Sequence, residues 1–475
     1  METEKEPLLP DHPKKDERVK LPPPQYNTDD FDWKQNNNNS IFFDNRTFSS
    51  LDEMKGSLLE MCCSGDGILS GALSLITTAA TPTMLAIPLA FAVGGWTFAI
   101  SCTLFCILIT FLSVRILALA SISADSDDYE TVAGFFLGSA GKWTARCVLL
   151  FYNFGCSIVY LSFIKDSITP ILIGRATFLP ESLRNSTGGS LFLLLSTAVI
   201  APLTFNSRLA SLRTKGFISN VFTIFIIFAI AYRYFNPAET ALSSENTPDP
   251  VATSLFTNPK ILVLLPYLFV APIFVFSYEV QSNVMAVIKD LQDRTGKKIL
   301  MSITLALVTV TMFYVLLGVF GSLTFPNLRE GNILSRYDVQ KDNLMMTCQV
   351  LCCFSASISF VFCLFPCRQA VFMYLSDGKT PKIPKKMRVR IGTCLTLVAA
   401  VLAIFLPDVA QVVSVLGALF SATLSMTFPA LFAMKMRAGH SYLTGYVDAV
   451  ISYVLLFIGI SFSVVGVIMS FVFGG

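Results

Sequence analysis

Histidine is almost absent from this chain: among 475 residues there are two, His12 in a polar amino-terminal stretch and His440 in a basic connection. That absence excludes a histidine proton relay inside a membrane. Charge is also scarce, at 14% Asp, Glu, Lys and Arg against 53% hydrophobic residues, a balance far more apolar than that of a soluble protein of this size. The composition defines a polytopic membrane protein. A net charge of +3, with no basic stripe interleaved with aromatics, gives no footprint for nucleic acid. The sequence shows no Gly-rich phosphate loop, no metal-type spacing among its twelve cysteines and no nucleophile with a histidine partner, so neither an enzyme nor a resident cofactor is expected. The start, METEKEPLLPDHPKKDERVK, lacks the apolar core of a cleavable signal, and the first span is expected to act as the insertion signal.

Residues 1–62 carry KLPPPQYNTDD, QNNNN and no helical or strand period, and read as a disordered cytosolic tail. Residues 63–475 read as the membrane domain. Apolar runs of about 20 residues, the length that crosses a bilayer, fall near 71–93, 97–120, 144–170, 190–206, 216–233, 261–288, 298–323, 344–374, 389–407, 409–434 and 446–472. The fold class is therefore all-α with eleven transmembrane helices. Basic connections follow the fourth, sixth, eighth and tenth spans (NSRLASLRTKG, KDLQDRTGKK, SDGKTPKIPKKMRVR, MKMRAGH), which places the amino terminus in the cytosol and the carboxyl terminus outside or in a lumen. Asn185, in Asn185-Ser186-Thr187 on the far side, is a candidate glycosylation site, whereas Asn38 and Asn45 match the sequon in the cytosolic tail. The far-side loops hold no cysteine, so no disulfide is expected there, and Cys62 and Cys63 at the membrane entry are either palmitoylated or buried thiols.

The first span concentrates Thr77, Thr78, Thr81, Pro82 and Thr83 at mid-depth, with Pro88 following. Proline removes a donor and displaces a carbonyl, and in hydrocarbon such freed groups are tolerable only beside a cavity. Either the span is broken at a binding site or it is a kinked helix whose threonines bond to their own carbonyls. Glu279, in FVFSYEVQSN, is the one acidic residue deep in an apolar stretch. An ionisable group at that depth costs several kcal/mol unless paired or wetted. It is a candidate for proton coupling, or else for a structural hydrogen bond at a water-filled vestibule.

Five stretches in this order carry a resemblance to a known family: TTAATPTMLAIPLAFAVGGW (77–96), DYETVAGFFLGSAGKWTARCVLLFYNFGCSIVYLSFIKD (128–166), PIFVFSYEVQSNVMAVIKDLQDRTGKKI (272–299), LFPCRQAVFMYL (364–375) and PDVAQVVSVLGALFSATLSMTFPALFAMK (407–435). From about residue 70 onward the chain resembles the amino acid/auxin permease family, in its branch of sodium-coupled neutral amino acid transporters. The resemblance implies ten core helices in a five-plus-five inverted repeat, plus an eleventh, with the first and sixth helices broken at mid-membrane and an amino acid held between them. Ala80, Thr81, Thr83, Met84 and Leu85 would then bind the substrate backbone, with Phe276, Ser277, Tyr278 and Gln281 on the opposite wall. Thr81-Pro82-Thr83 stands where the family has glycine, any residue, glycine, so the pocket is expected to be smaller or differently shaped. Placed by the family's sodium site, Thr77 falls at the position of an asparagine and Ser359 at that of a hydroxyl, both oxygen donors suited to a sodium ion. Gln281 stands where many relatives have a histidine and does not titrate. Arg368 is expected at the cytosolic end of the eighth span, snorkelling or paired.

Glu4-Lys5-Glu6-Pro7-Leu8-Leu9 fits an acidic dileucine sorting signal through Glu4, Leu8 and Leu9, the kind read by a clathrin adaptor, and PPPQY fits a WW-type domain. An endosomal, lysosomal or vacuolar membrane is expected, with the plasma membrane as the alternative. The expected function is secondary transport of neutral amino acids coupled to sodium or protons. The alternative is an amino-acid-binding nutrient sensor with little transport. A channel finds no support, since no pore loop or charged filter is evident.

Overall fold

The computed structural model describes residues 68–126, 128–175, 180, 183, 185–205, 210–237, 259–290, 296–375, 384–406, 408–438 and 446–474. The expected tail with Glu4, Leu8, Leu9, PPPQY, Cys62 and Cys63 lies outside them, as do both histidines.

Apolar runs without polar partners force every backbone group to be satisfied locally, and the described residues accordingly form helices and connections with no strand. Helix α1 (Ile68–Ala79) stops before Pro82, and a 3-10 turn (Pro82–Ala86) leads into α2 (Ile87–Ser123). Gly95, at φ 72°, bends α2 so that residues 87–94 complete the first span and 96–123 form the second. Helix α3 (Tyr129–Gly174) bends likewise at Gly138, φ 73°, which separates a short initial helix from the third span. The fourth and fifth spans are α4 (Ser186–Ile200), prolonged by the turn Ala201–Phe205, and α5 (Ala210–Phe235). The sixth is split into α6 (Pro259–Ser277) and α7 (Gln281–Asp290). Then come α8 (Gly296–Thr324), a 3-10 turn (Ile333–Arg336), α9 (Asn343–Leu375) and α10 (Lys385–Phe405). The tenth span comprises α11 (Val409–Leu416), two π-helical turns (Gly417–Ser421 and Thr423–Thr427) and α12 (Phe428–Ala438), and α13 (Tyr446–Gly474) ends the described chain.

Ten stretches are long and apolar enough to cross a bilayer. The first of these, Pro82–Ser123, holds the end of one span and the whole of the next, so with α1 the described residues contain eleven spans. The interrupted spans are the first and the sixth, five apart, as two five-helix repeats require. Packing agrees with their central place. The third and eighth spans make the most extensive helix pair, α2 lies against α6 and α8, and the eleventh span packs against the sixth and the tenth. In its most apolar window, 72% of the sixth span is buried against 22% of the eleventh, so the sixth faces protein and the eleventh faces lipid.

Candidate substrate and cation site at the helix breaks

The break in the first span follows from Pro82, which has no N–H to continue the helix. Ala80 N still donates to Ile76 O (2.7 Å), but Thr81 turns extended (φ −102°, ψ 167°) and its N–H folds back on Ala79 O (2.9 Å). The Thr81 and Thr83 hydroxyls pair at 2.7 Å, and Tyr160 of α3 hydrogen-bonds the Thr81 side chain. Ala80, Thr81, Thr83, Met84 and Leu85 are all buried.

In the sixth span, Tyr278 N and Glu279 N reach back to Phe274 O (3.0 Å) and Phe276 O (3.2 Å), and regular helix resumes only at Gln281. Glu279 is 5% exposed, and its carboxylate sits at the amino terminus of α7. There it accepts from Ser282 N (2.8 Å) and Ser282 Oγ (3.0 Å), and it is hydrogen-bonded to Tyr152 of α3. A helix amino terminus carries partial positive charge and free amides, so the carboxylate is held by the feature that would also suit a substrate carboxylate.

The two breaks are joined by a residue of the seventh span. The Tyr314 hydroxyl of α8 lies 2.8 Å from Ala79 O, the last carbonyl of α1, and 2.7 Å from Ser277 O, the last carbonyl of α6. The cleft beside it, lined by Leu75, Ala79, Ser277, Tyr278 and Val310 among others, leaves about 10 Å³ for the centre of a water molecule. That is room for one water.

A second polar cluster lies where α1, α5 and α9 converge. Thr77 donates to Leu73 O (2.8 Å) and accepts from Asn220 Nδ2 of α5 (2.8 Å). Asn220 is 5% exposed, and its Oδ1 has no hydrogen-bond partner among the described residues. One residue back, Ser219 Oγ meets Ser355 Oγ of α9 at 2.6 Å, with Thr223 Oγ1 at 3.4 Å from the same serine. Ser359, buried, follows Ser355 by one helical turn on α9. The donors in this cluster are neutral oxygens, a set suited to a hard monovalent cation.

The remaining expected site residues make contacts with neighbouring spans. Gln281 turns to the second span, donating to Ser113 Oγ (2.7 Å) while its own oxygen accepts from Val280 N (2.9 Å). Phe276 lies with its ring centre 5.9 Å from that of Tyr152, and Tyr278 donates to Thr311 Oγ1 (3.0 Å). Arg368 neither snorkels nor sits at the surface. It is 1% exposed, donates to Thr204 O at the end of the fourth span, and lies 5.0 Å over the Phe365 ring, so a backbone carbonyl and an aromatic face offset part of the cost of burying the guanidinium. Asn185 is exposed and caps α4 through Gly188 N (2.9 Å). The sequence pointed to neither Tyr314 nor Asn220, although a hydroxyl and an amide inside apolar runs must each find a partner in the bundle.

Paired interrupted helices whose ends meet inside an eleven-span bundle define a membrane protein of the secondary-transporter class. Residues 64–472 match the family described as transmembrane amino acid transporter protein, and the chain belongs to that family. The description is of transporters, not enzymes. Among relatives, the chain is 24% identical over 338 residues to the sodium-coupled neutral amino acid symporter 2 of Danio rerio, a match covering 68% of this chain and 66% of that protein. The chain thus spans just under two thirds of that relative's length. Among solved structures, it is similar at TM-score 0.45 and 12% identity to a sodium-coupled sialic acid symporter in its substrate-bound outward-open state, over 86% of this chain and 91% of the other.

Proposed function

We propose that the protein is a secondary active transporter of neutral amino acids that works by alternating access and is driven by a sodium or proton gradient. One observation carries this reading: the free ends of two broken helices converge at a buried joint, with two terminal carbonyls facing inward and an amide-rich helix start beside them. A zwitterion needs acceptors for its ammonium and donors for its carboxylate, and helix ends supply both. The name of the fish relative supports a neutral substrate and sodium.

The proposed sodium site uses Thr77, Ser359 and, in place of an amide on the first helix, the Asn220 oxygen from the fifth. The proposed proton site is Glu279. Protonation would loosen its hold on Ser282 N and free that amide for a substrate carboxylate, so proton and substrate would enter together. Glu4, Leu8 and Leu9 support delivery to endosomal, lysosomal or vacuolar membranes through a clathrin adaptor.

The test is uptake by the purified full chain in liposomes, scanning the amino acids under separate sodium and proton gradients. Gradient-driven flux of a neutral amino acid is the expected result. Binding without flux of any amino acid would replace this reading by the sensor.

A further inference from the structure

Two arginines approach each other where the fourth, eighth and ninth spans meet. Arg368, 1% exposed in α9, donates to Thr204 O in the turn that ends the fourth span. The Thr204 hydroxyl and the Phe205 ring of that turn lie against Gly392 of α10. Arg388 stands one helical turn before Gly392 on the same face of α10, so it borders the same turn. Its charge opposes that of Arg368. The Arg388 Nε is buried and has no hydrogen-bond partner among the described residues.

A buried N–H without an acceptor costs free energy, and a second cation at close range adds to the cost. The start of α10 adds more. It follows Pro384, which supplies no side-chain cap, and its first turn holds no acid, while Lys385, Lys386 and Arg390 flank Arg388. The amino-terminal end of a helix is itself partly positive. Water screens the exposed Lys385, Lys386 and Arg390, but Arg368 and the Arg388 Nε are shut away from it. A phosphate group answers these features together, because its oxygens accept from planar guanidiniums and from helix-start amides at once.

We propose that Arg388 and the start of α10, with Arg368 behind them, form a phosphate site between the ninth span and the end of the fourth, filled by the headgroup of an anionic membrane lipid. Depth favours a lipid over free phosphate. Arg388 stands just before the apolar run that starts at Ile391, at the level where headgroups lie. The anion ties the ninth span to the fourth and eighth, whatever the chain transports.

The test is the melting temperature of the purified full chain in nanodiscs of phosphatidylcholine, of phosphatidylcholine with a minor fraction of phosphatidylinositol 4-phosphate, and of phosphatidylcholine with inorganic phosphate in solution. Wild type should melt about 5 °C higher with the phosphoinositide, the shift expected of two charge-assisted hydrogen bonds. Arg388→Gln should lose that rise, yet melt no lower than wild type in phosphatidylcholine alone, because it removes a like charge from beside Arg368. Arg390→Gln, at an exposed position, should keep the rise. A full rise in Arg388→Gln, or an equal loss in Arg390→Gln, shows general attraction to an acidic surface and overturns the proposal. So does a wild type that rises with neither probe, or an Arg388→Gln that melts lower in phosphatidylcholine alone, the mark of a packing residue. An equal rise with inorganic phosphate supports the phosphate site and overturns the lipid as its occupant. If Arg388→Gln does not purify, Arg388→Lys keeps the charge without the planar fork and should keep less than half of the rise; the whole rise in that variant overturns the proposal.

Discussion

At the scale of single residues, Glu279 and Asn220 divide the question of coupling between them. Glu279 is buried and held by three groups, Ser282 N, Ser282 Oγ and Tyr152, so its charge is tied to the start of α7. Glu279→Gln preserves size and an acceptor but cannot exchange a proton. In liposomes it should abolish proton dependence of uptake, and unchanged pH dependence would remove Glu279 from the mechanism. Asn220→Ala removes the buried oxygen beside Thr77 and should raise the sodium concentration for half-maximal uptake about ten-fold or more, as loss of a charge-assisted ligand predicts. An unaltered sodium response would return Asn220 to a structural role. Glu279 was legible in the sequence because a carboxylate in an apolar run has few bland explanations. Asn220 and Tyr314 were not, since their meaning lies in which other helix they face.

At the scale of elements, Thr81-Pro82-Thr83 marked the first span as either broken or kinked, and the structure shows it broken there. The π-helical turns of the tenth span left no such mark, because widening a helix by one residue per turn needs no proline and little glycine. Asp408 is the residue that precedes the first turn of that span, and its carboxylate accepts from Gly331 N (3.3 Å) of the connection before α9. Burial raises its carboxyl above the ordinary carboxylate range, against the opposing pull of nearby backbone amides, while Glu330 nearby raises it further. The folded chain therefore holds this proton more tightly than the unfolded chain does. The associated stability is present at pH below the unfolded carboxylate value and is lost as pH rises through the folded one. Asp408→Asn keeps an acceptor oxygen without a charge. It should flatten the fall in melting temperature between acidic and neutral pH, and a variant with the wild-type slope would show that another group controls it.

At the scale of the whole molecule, the eleven spans are an odd number, so the two ends of the membrane domain lie on opposite sides of the bilayer. Which side is which is an expectation that rests on lysine and arginine in the connections, since insertion itself reads them. The structure adds that Asn185 is exposed at the start of α4, its side-chain oxygen occupied as a helix cap and its amide nitrogen pointing away from that bond. A sequon in such a place is available to the lumenal glycosylation machinery only if the connection between the third and fourth spans faces the lumen. Expressed in a eukaryotic membrane, the full chain should lose mass on glycosidase treatment, and Asn185→Gln should migrate at the deglycosylated position while Asn38→Gln and Asn45→Gln leave migration unchanged. Loss of the shift in the Asn38 or Asn45 variant instead would invert the topology. The start of α1 would then lie on the lumenal side and Asp408 on the cytosolic side, out of reach of lumenal acidification.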